Sequence, residues 1–289
     1  MSKNQKDYVM PALPKLTSIP TLEDIRTTHN AIQDFIHRTP ILTSSAINAI
    51  ADAEIYFKCE NFQKIGAFKM RGGASAALRL TDEEKAKGLA THSSGNHAQA
   101  VARSAQVLGI PAYIVMPSNA PKIKQKATAG YGAEIIICEP TLASRESTLE
   151  QVVAEKGATF IHPYNDYNVI AGQATAALEL LEDTDGLDII MAPVGGGGLM
   201  SGTALTTTYL FPQTRIIGAE PKEVDDAFRS FHSGTLQKNT TTNTVADGLR
   251  TSLGEKTLEI IRNYVEDIYL VEEQEIIDAM RLTWERMKI

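Results

Sequence analysis

The sequence predicts an α/β fold built on parallel sheets, and three observations carry that prediction. Short apolar runs alternate with amphipathic stretches along most of the chain, and glycines recur where the helical stretches end. At 289 residues the chain is also long enough for two lobes sharing a cleft. A hydrophobic fraction of 43% and a charged fraction of 22% are ordinary for a globular protein. The net charge of −7 argues against nucleic acid as a partner, because phosphate binding needs a basic face. Residues 1–16 are polar and lack the apolar centre of a signal peptide, and no apolar run approaches the length needed to cross a membrane. Cys59 and Cys138 lie far apart, each beside or within an apolar run. Free buried thiols of a cytoplasmic protein fit that placement better than a disulfide or a zinc site.

Residues 1–20 carry Pro11, Pro14 and Pro20 without periodicity and read as a lead-in. Thr21 opens a helix, with Asp24 three residues on as a partial capping box. Its apolar face is Ile25, Ile32, Phe35 and Ile36, and it ends before Pro40. A second capping box, Thr81 with Glu84, starts a solvated helix. Residues 55–59, 112–116, 134–138, 187–194 and 215–219 read as buried strands. Helices are expected over 96–108, 121–129, 142–155 and 169–181, with Gly109, Gly130 and Gly157 as left-handed C-caps. The threonine- and asparagine-rich stretch 234–243 reads as a surface connection.

Four motifs carry chemistry. In Gly66-Ala67-Phe68-Lys69-Met70-Arg71-Gly72-Gly73 the lysine stands at a helix start, where the positive end of the helix dipole opposes it. Taken alone this is a surface lysine, yet the position also lowers an amine's pKa, as Schiff-base chemistry requires. Ser93-Ser94-Gly95-Asn96-His97 lies between a short strand, 89–92, and a helix; free N–H groups and hydroxyls there suit a carboxylate, or serve as a plain cap. Gly195-Gly196-Gly197-Gly198 follows a strand and precedes a helix beginning near Leu199. A bare backbone of that kind can converge its N–H groups on a phosphate, and neither the Walker nor the dinucleotide spacing is present. Glu220-Pro221-Lys222-Glu223-Val224-Asp225-Asp226 ends a strand, and its carboxylates and carbonyls suit a hard cation or simply solvent. An activated amine, a carboxylate cradle and a phosphate cradle together point to a cofactor with an aldehyde and a phosphate acting on an amino acid.

These motifs resemble those of the fold-type II pyridoxal phosphate (PLP) enzymes, in the threonine dehydratase and serine racemase group, from about Thr21 to the end of the chain. Ala67 departs from that pattern, standing where a serine is common. The runs Ala246-Asp247-Gly248-Leu249 and His162-Pro163-Tyr164-Asn165-Asp166 also resemble segments of the group. The resemblance implies a tryptophan synthase β-like fold, two open twisted α/β lobes with the cofactor in the cleft. The large cofactor domain would be residues 21–85 and 166–289, with a small domain, 86–165, inserted in it. By the same resemblance Lys69 binds PLP covalently, Phe68 lines its ring and Asn96 bonds its phenolic oxygen. Gly195, Gly196, Gly197, Gly198 and Leu199 hold its phosphate. Ser93, Ser94 and His97 embrace the substrate carboxylate, and Glu220, the Val224 carbonyl and Asp226 hold Mg2+ (or Ca2+ or Mn2+). A homodimer is implied as well.

The expected activity is that of a dehydratase (ammonia-lyase) taking L-threonine or L-serine to a 2-oxo acid and ammonia. Serine or hydroxyaspartate racemisation, with Ser94 as the acid opposite Lys69, is the alternative. In this group a serine, threonine or cysteine near the C-terminus faces the pyridine nitrogen. Here a helix from about Glu272 ends the sequence at Trp284-Glu285-Arg286-Met287-Lys288-Ile289, where the next strand should begin. A C-terminally incomplete large domain is therefore expected, and a PLP-binding protein without catalysis stands as a third reading.

Overall fold

The computed structural model describes residues 13–289. The first twelve residues of the expected lead-in, Pro11 among them, lie outside the described residues. In chain order the elements are α1 (Leu22–Ile32), β1 (Ile41–Leu42), α2 (Ser45–Ala51), β2 (Phe57–Lys58), α3 (Lys69–Ala77), α4 (Asp82–Lys87) and β3 (Leu89–His92). There follow α5 (Asn96–Leu108), β4 (Ala112–Pro117), α6 (Lys122–Ala129), β5 (Glu134–Cys138), α7 (Leu142–Lys156), β6 (Thr159–Phe160) and α8 (Tyr167–Glu182). The last are β7 (Ile189–Pro193), α9 (Gly198–Leu210), β8 (Arg215–Pro221), α10 (Asp226–Ser233), α11 (Glu255–Tyr264), β9 (Asp267–Val271) and α12 (Glu273–Met287).

Two all-parallel sheets result, as the strand–helix alternation requires: a four-stranded one in the order β5-β4-β3-β6 and a three-stranded one in the order β7-β8-β9. Both capping boxes form: Thr21 Oγ1 accepts from the Asp24 N–H and Thr81 Oγ1 from the Glu84 N–H. Ile25 and Ile32 of α1 are buried, as are Phe35 and Ile36, but α1 ends at Ile32, so Phe35 lies in a following 3-10 turn and Ile36 in extended chain rather than on the expected helix. Cys59 and Cys138 are buried and free.

Four further expectations need correction. Residues 55–59 do not join a parallel sheet: only β2 forms, pairing antiparallel with β1 in a half-buried two-stranded patch. β5 is an edge strand, so Ile137 is exposed rather than buried. β7 is buried on one face only; Ile190 and Ala192 pack with residues of α9 and α11, while Ile189 and Met191 face solvent. Gly130 keeps right-handed helical geometry and the left-handed residue is Gly132, whereas Gly109 and Gly157 are left-handed C-caps. No helix among the described residues is long and apolar enough to cross a membrane.

Candidate active site

α3 carries the lysine motif into the centre of the molecule because its glycines permit close approach. A Cβ on Gly72 would stand 2.3 Å from Gln173 Nε2 of α8, and one on Gly73 would stand 3.0 Å from Ala100 of α5. Arg71, wholly buried, anchors the helix through bidentate pairs to Glu60 and to Glu179 of α8. Lys69 is therefore fixed at the first position of α3, still touched by solvent but crowded by protein. Burial lowers its amine from the ordinary value to about 8. Its Nζ donates to the Pro163 carbonyl at 2.8 Å, and the Phe68 ring centroid lies 5.3 Å away.

The serine loop leaves β3 and enters α5. Gly95 is the N-cap, and its carbonyl accepts only from Gln99, so the N–H groups of the first turn remain for a ligand. Ser93 and Ser94 are half-buried beside them and Asn96 is exposed. The His97 side chain is committed elsewhere. Its Nε2 donates to the Ile161 carbonyl at 3.0 Å, and burial, the Lys69 charge and nearby histidines hold the ring down to about 3. The neutral ring has no N–H left for a carboxylate. Only the His97 backbone N–H can serve the role that the resemblance implies for this residue.

The four glycines form the third wall. A Cβ on Gly195 would lie 2.9 Å from Leu249 Cα, and one on Gly196 only 2.2 Å from the Tyr164 ring. Gly197 is left-handed at φ 83°. The N–H groups from Gly195 to Met200 find no main-chain partner, and the first-turn N–H groups of α9 are among them, which suits a phosphate. Residues 161–164 touch all three features: Ile161 receives His97, Pro163 receives Lys69 and Tyr164 packs on Gly196 and Gly198.

At the end of β8, Glu220 is buried and its two oxygens accept the Ala227 and Phe228 N–H groups of α10 at 2.9 and 2.8 Å. Burial, with Asp226 and Asp225 nearby, outweighs those bonds and pushes the carboxyl up to about 8. Asp226 accepts the Leu253 N–H through Oδ2, while its buried Oδ1 has no partner among the described residues. Burial raises it to about 6. The Val224 carbonyl has no main-chain partner. Two carboxylates that resist ionisation beside a free carbonyl fit a divalent cation. No trio of metal-ligating side chains occurs among the described residues, so the oxygen count depends on that carbonyl.

Two contributors carried no role at the level of sequence. His162 and Tyr164 lie in a segment noted only for its resemblance, because what matters is their backbone turn. Arg145, in the first turn of α7, is the second; α7 packs on β3, and the Arg145 charge reaches His92, whose ring is held low first by burial and then by this guanidinium. The Arg145 Nε and the His92 Nδ1 are buried without partners among the described residues. A lone arginine in an amphipathic helix leaves no signal in sequence.

A crowded amine of lowered pKa near unpartnered backbone N–H groups is the pairing that PLP chemistry calls for. The chain belongs to the pyridoxal-phosphate dependent enzyme family, whose profile matches residues 32–289, and its parallel α/β sheets are those of the fold-type II members. It is 49% identical over 271 residues to the beta-hydroxyaspartate dehydratase of Paracoccus denitrificans, covering 94% of this chain and 86% of that one. The crystal structure of serine racemase from Dictyostelium discoideum superposes with a TM-score of 0.89 at 48% identity, covering 93% and 87% of the two chains. The T.th. threonine deaminase gives a TM-score of 0.89 at 42% identity over 93% and 88%. The protein is thus an enzyme of the PLP-dependent dehydratase and racemase group.

Proposed function

We propose that the enzyme deaminates, through loss of water and later hydrolysis, a β-hydroxy amino acid bearing a second carboxylate, 3-hydroxyaspartate, with serine and threonine as poorer substrates. The observation that carries this substrate class is Arg145. A buried guanidinium N–H without a partner, beside an equally unpartnered His92 and next to the serine loop, suits an anionic substrate side chain. The 49% identity to a hydroxyaspartate dehydratase supports it.

PLP, when bound, supplies the carbonyl that joins the substrate amine and the electron sink that stabilises the α-carbanion. The N–H groups of Gly195, Gly196, Gly197, Gly198 and Leu199 hold its phosphate, Phe68 lines its ring and Asn96 meets its phenolic oxygen. Ser93, Ser94 and the first-turn N–H groups of α5 bind the α-carboxylate. Lys69, with its pKa lowered to about 8, has a far larger neutral fraction near physiological pH than an ordinary lysine and removes the α-proton. The β-hydroxyl departs as water and the enamine product hydrolyses to oxaloacetate and ammonia. Glu220, the Val224 carbonyl and Asp226 hold Mg2+, fastening the start of α10 to β8. The four-stranded sheet is read as the core of the small inserted domain.

The test is 2-oxo acid formation from hydroxyaspartate, serine and threonine in the presence of PLP and Mg2+. Arg145→Ala should lower kcat/KM for hydroxyaspartate about 10- to 100-fold, the worth of one charge-assisted contact, and leave serine within a few-fold. Equal losses on both substrates would end the assignment. Similarity to a serine racemase and the half-buried Ser94 favour a second activity, reprotonation of the carbanion from the opposite face. Ser94→Ala should then abolish change of chirality while some elimination survives.

A further inference from the structure

His162 has no part in the machinery above, yet it adjoins the carbonyl that receives the catalytic amine. Lys69 pairs with no carboxylate among the described residues; the Pro163 carbonyl, 2.8 Å from Nζ, is its acceptor. That carbonyl sits in a turn closed by a side chain. The Nδ1 of His162 accepts the N–H of Asn165 at 2.9 Å and of Tyr164 at 3.3 Å. A backbone N–H can only donate, so Nδ1 carries the lone pair and the neutral ring bears its proton on Nε2.

The arrangement imitates an Asx turn, in which a side-chain oxygen bonds N–H groups two and three residues on. The flanks of the turn are held independently. Ile161 receives His97 Nε2 and Thr91 Oγ1, the Asn165 side chain receives the Lys256 N–H, and Asp166 caps α8. Within residues 162–164 the Tyr164 ring packs on Gly196 and Gly198 and the Pro163 carbonyl receives Lys69, while the hydrogen bonds that close the turn come from His162. Phe160 and Tyr164 pack on the ring at centroid distances of 5.7 and 4.7 Å. Burial, with His92, Lys69 and Lys256 facing it, holds the ring down to about 4, so it stays an acceptor at neutral pH.

We propose that His162 is a positioning residue for Lys69: its Nδ1 holds the turn that presents the Pro163 carbonyl to the amine. A carboxylate in that place would pin Lys69 as an ammonium ion. A neutral carbonyl fixes the direction of the amine while burial still keeps its pKa low. The inference rests on Lys69 being the reactive amine.

The test uses the full chain freed of cofactor, with acetylation of Lys69 by acetic anhydride followed across pH by peptide mass spectrometry. The unaltered protein should show a midpoint near 8. In His162→Ala the turn opens to water and the midpoint should rise by about one unit, toward an ordinary lysine. His162→Asn supplies an Asx oxygen and should keep the midpoint where it was. A 15N–1H spectrum of the histidine rings in the unaltered chain should show the Nε2–H form for His162. Equal shifts in both variants, no shift in His162→Ala, or a proton on Nδ1 would overturn the proposal. If His162→Ala does not fold, the tautomer and the His162→Asn midpoint still decide. Failure of Lys69 to form a covalent adduct with PLP at any pH would instead remove the functional reading, and these measurements would stand apart from it.

Discussion

Two regions of the molecule treat buried charge in opposite ways. Around Arg71 every charge has a partner: Glu60 and Glu179 hold the guanidinium bidentately, Lys58 Nζ reaches Glu179 at 2.7 Å, and His29 lies 3.2 Å from it. Burial drives the Glu179 carboxyl upward, but His29, Arg71 and Lys58 outweigh it and hold it well below the usual carboxylate range. At the candidate site the balance is missing. Lys69 has a carbonyl and no carboxylate, and burial lowers it. Glu220 and Asp226 have backbone N–H groups and no cation of the chain bonded to them, and burial raises both. Balanced buried charge fastens α3 to α8; Lys69, Glu220 and Asp226, left unbalanced, are the groups proposed above to do chemistry or take a ligand, whereas Arg79, also buried without a carboxylate, is bonded to Ser75 and Thr28.

The largest effect should come from the unbalanced side. Lys69→Ala should abolish the covalent PLP adduct and lower elimination by about a thousandfold or more, since nucleophile and base are lost together. Its thermal midpoint should be no lower than that of the unaltered cofactor-free chain, because a buried unpaired amine has been removed. Glu179→Gln should do the reverse. It leaves Arg71 and Lys58 undercompensated, at a cost of about 3–5 kcal/mol, or a fall in Tm of roughly 5–8 °C for a chain of this size. Glu220→Gln, measured without divalent cations, should cost far less than Glu179→Gln, because the buried carboxyl already tends to keep its proton. Equal falls for the two glutamine variants, read by thermal melts, would erase the distinction between the regions.

The elements that were legible in sequence are those whose causes are local. The boxes at Thr21 and Thr81 and the helix from Asn96 to Leu108 are set by neighbours within four residues. The turn made by the glycine tetrad at the start of α9 was legible too, since four bare residues break both strand and helix. The balanced cluster was not: Arg71 and Glu179 stand 108 positions apart, and neither is unusual where it stands. The same holds for Lys69 and Pro163, 94 positions apart. β7 was misread as doubly buried because an apolar run does not say how many of its faces are covered. The bond of the His97 ring is illegible for a related reason: the Ile161 carbonyl that claims it lies in another strand–helix unit.

The smallest effect, and the sharpest for the acidic turn, is a coupling between pH and Mg2+. Glu220 and Asp226 titrate near 8 and near 6 in the folded chain, above the ordinary carboxylate range of the unfolded one. A group whose folded pKa is raised binds more protons folded than unfolded, so its contribution to stability declines as pH rises from about 4 through the folded pKa. For these two groups the decline spans pH 4 to 8 and is nearly complete for Asp226 at the lower end of neutrality. Mg2+ needs the ionised carboxylates and competes with those protons. At pH 8, Mg2+ at a hundred times its Kd should add about 2.7 kcal/mol, or roughly 4–5 °C in Tm. At pH 5.5 the same concentration should add well under half of that, and in Glu220→Gln little at either pH. A gain in Tm that is equal at both pH values, or that survives Glu220→Gln, would place the cation elsewhere and leave the pair as unusually costly helix caps.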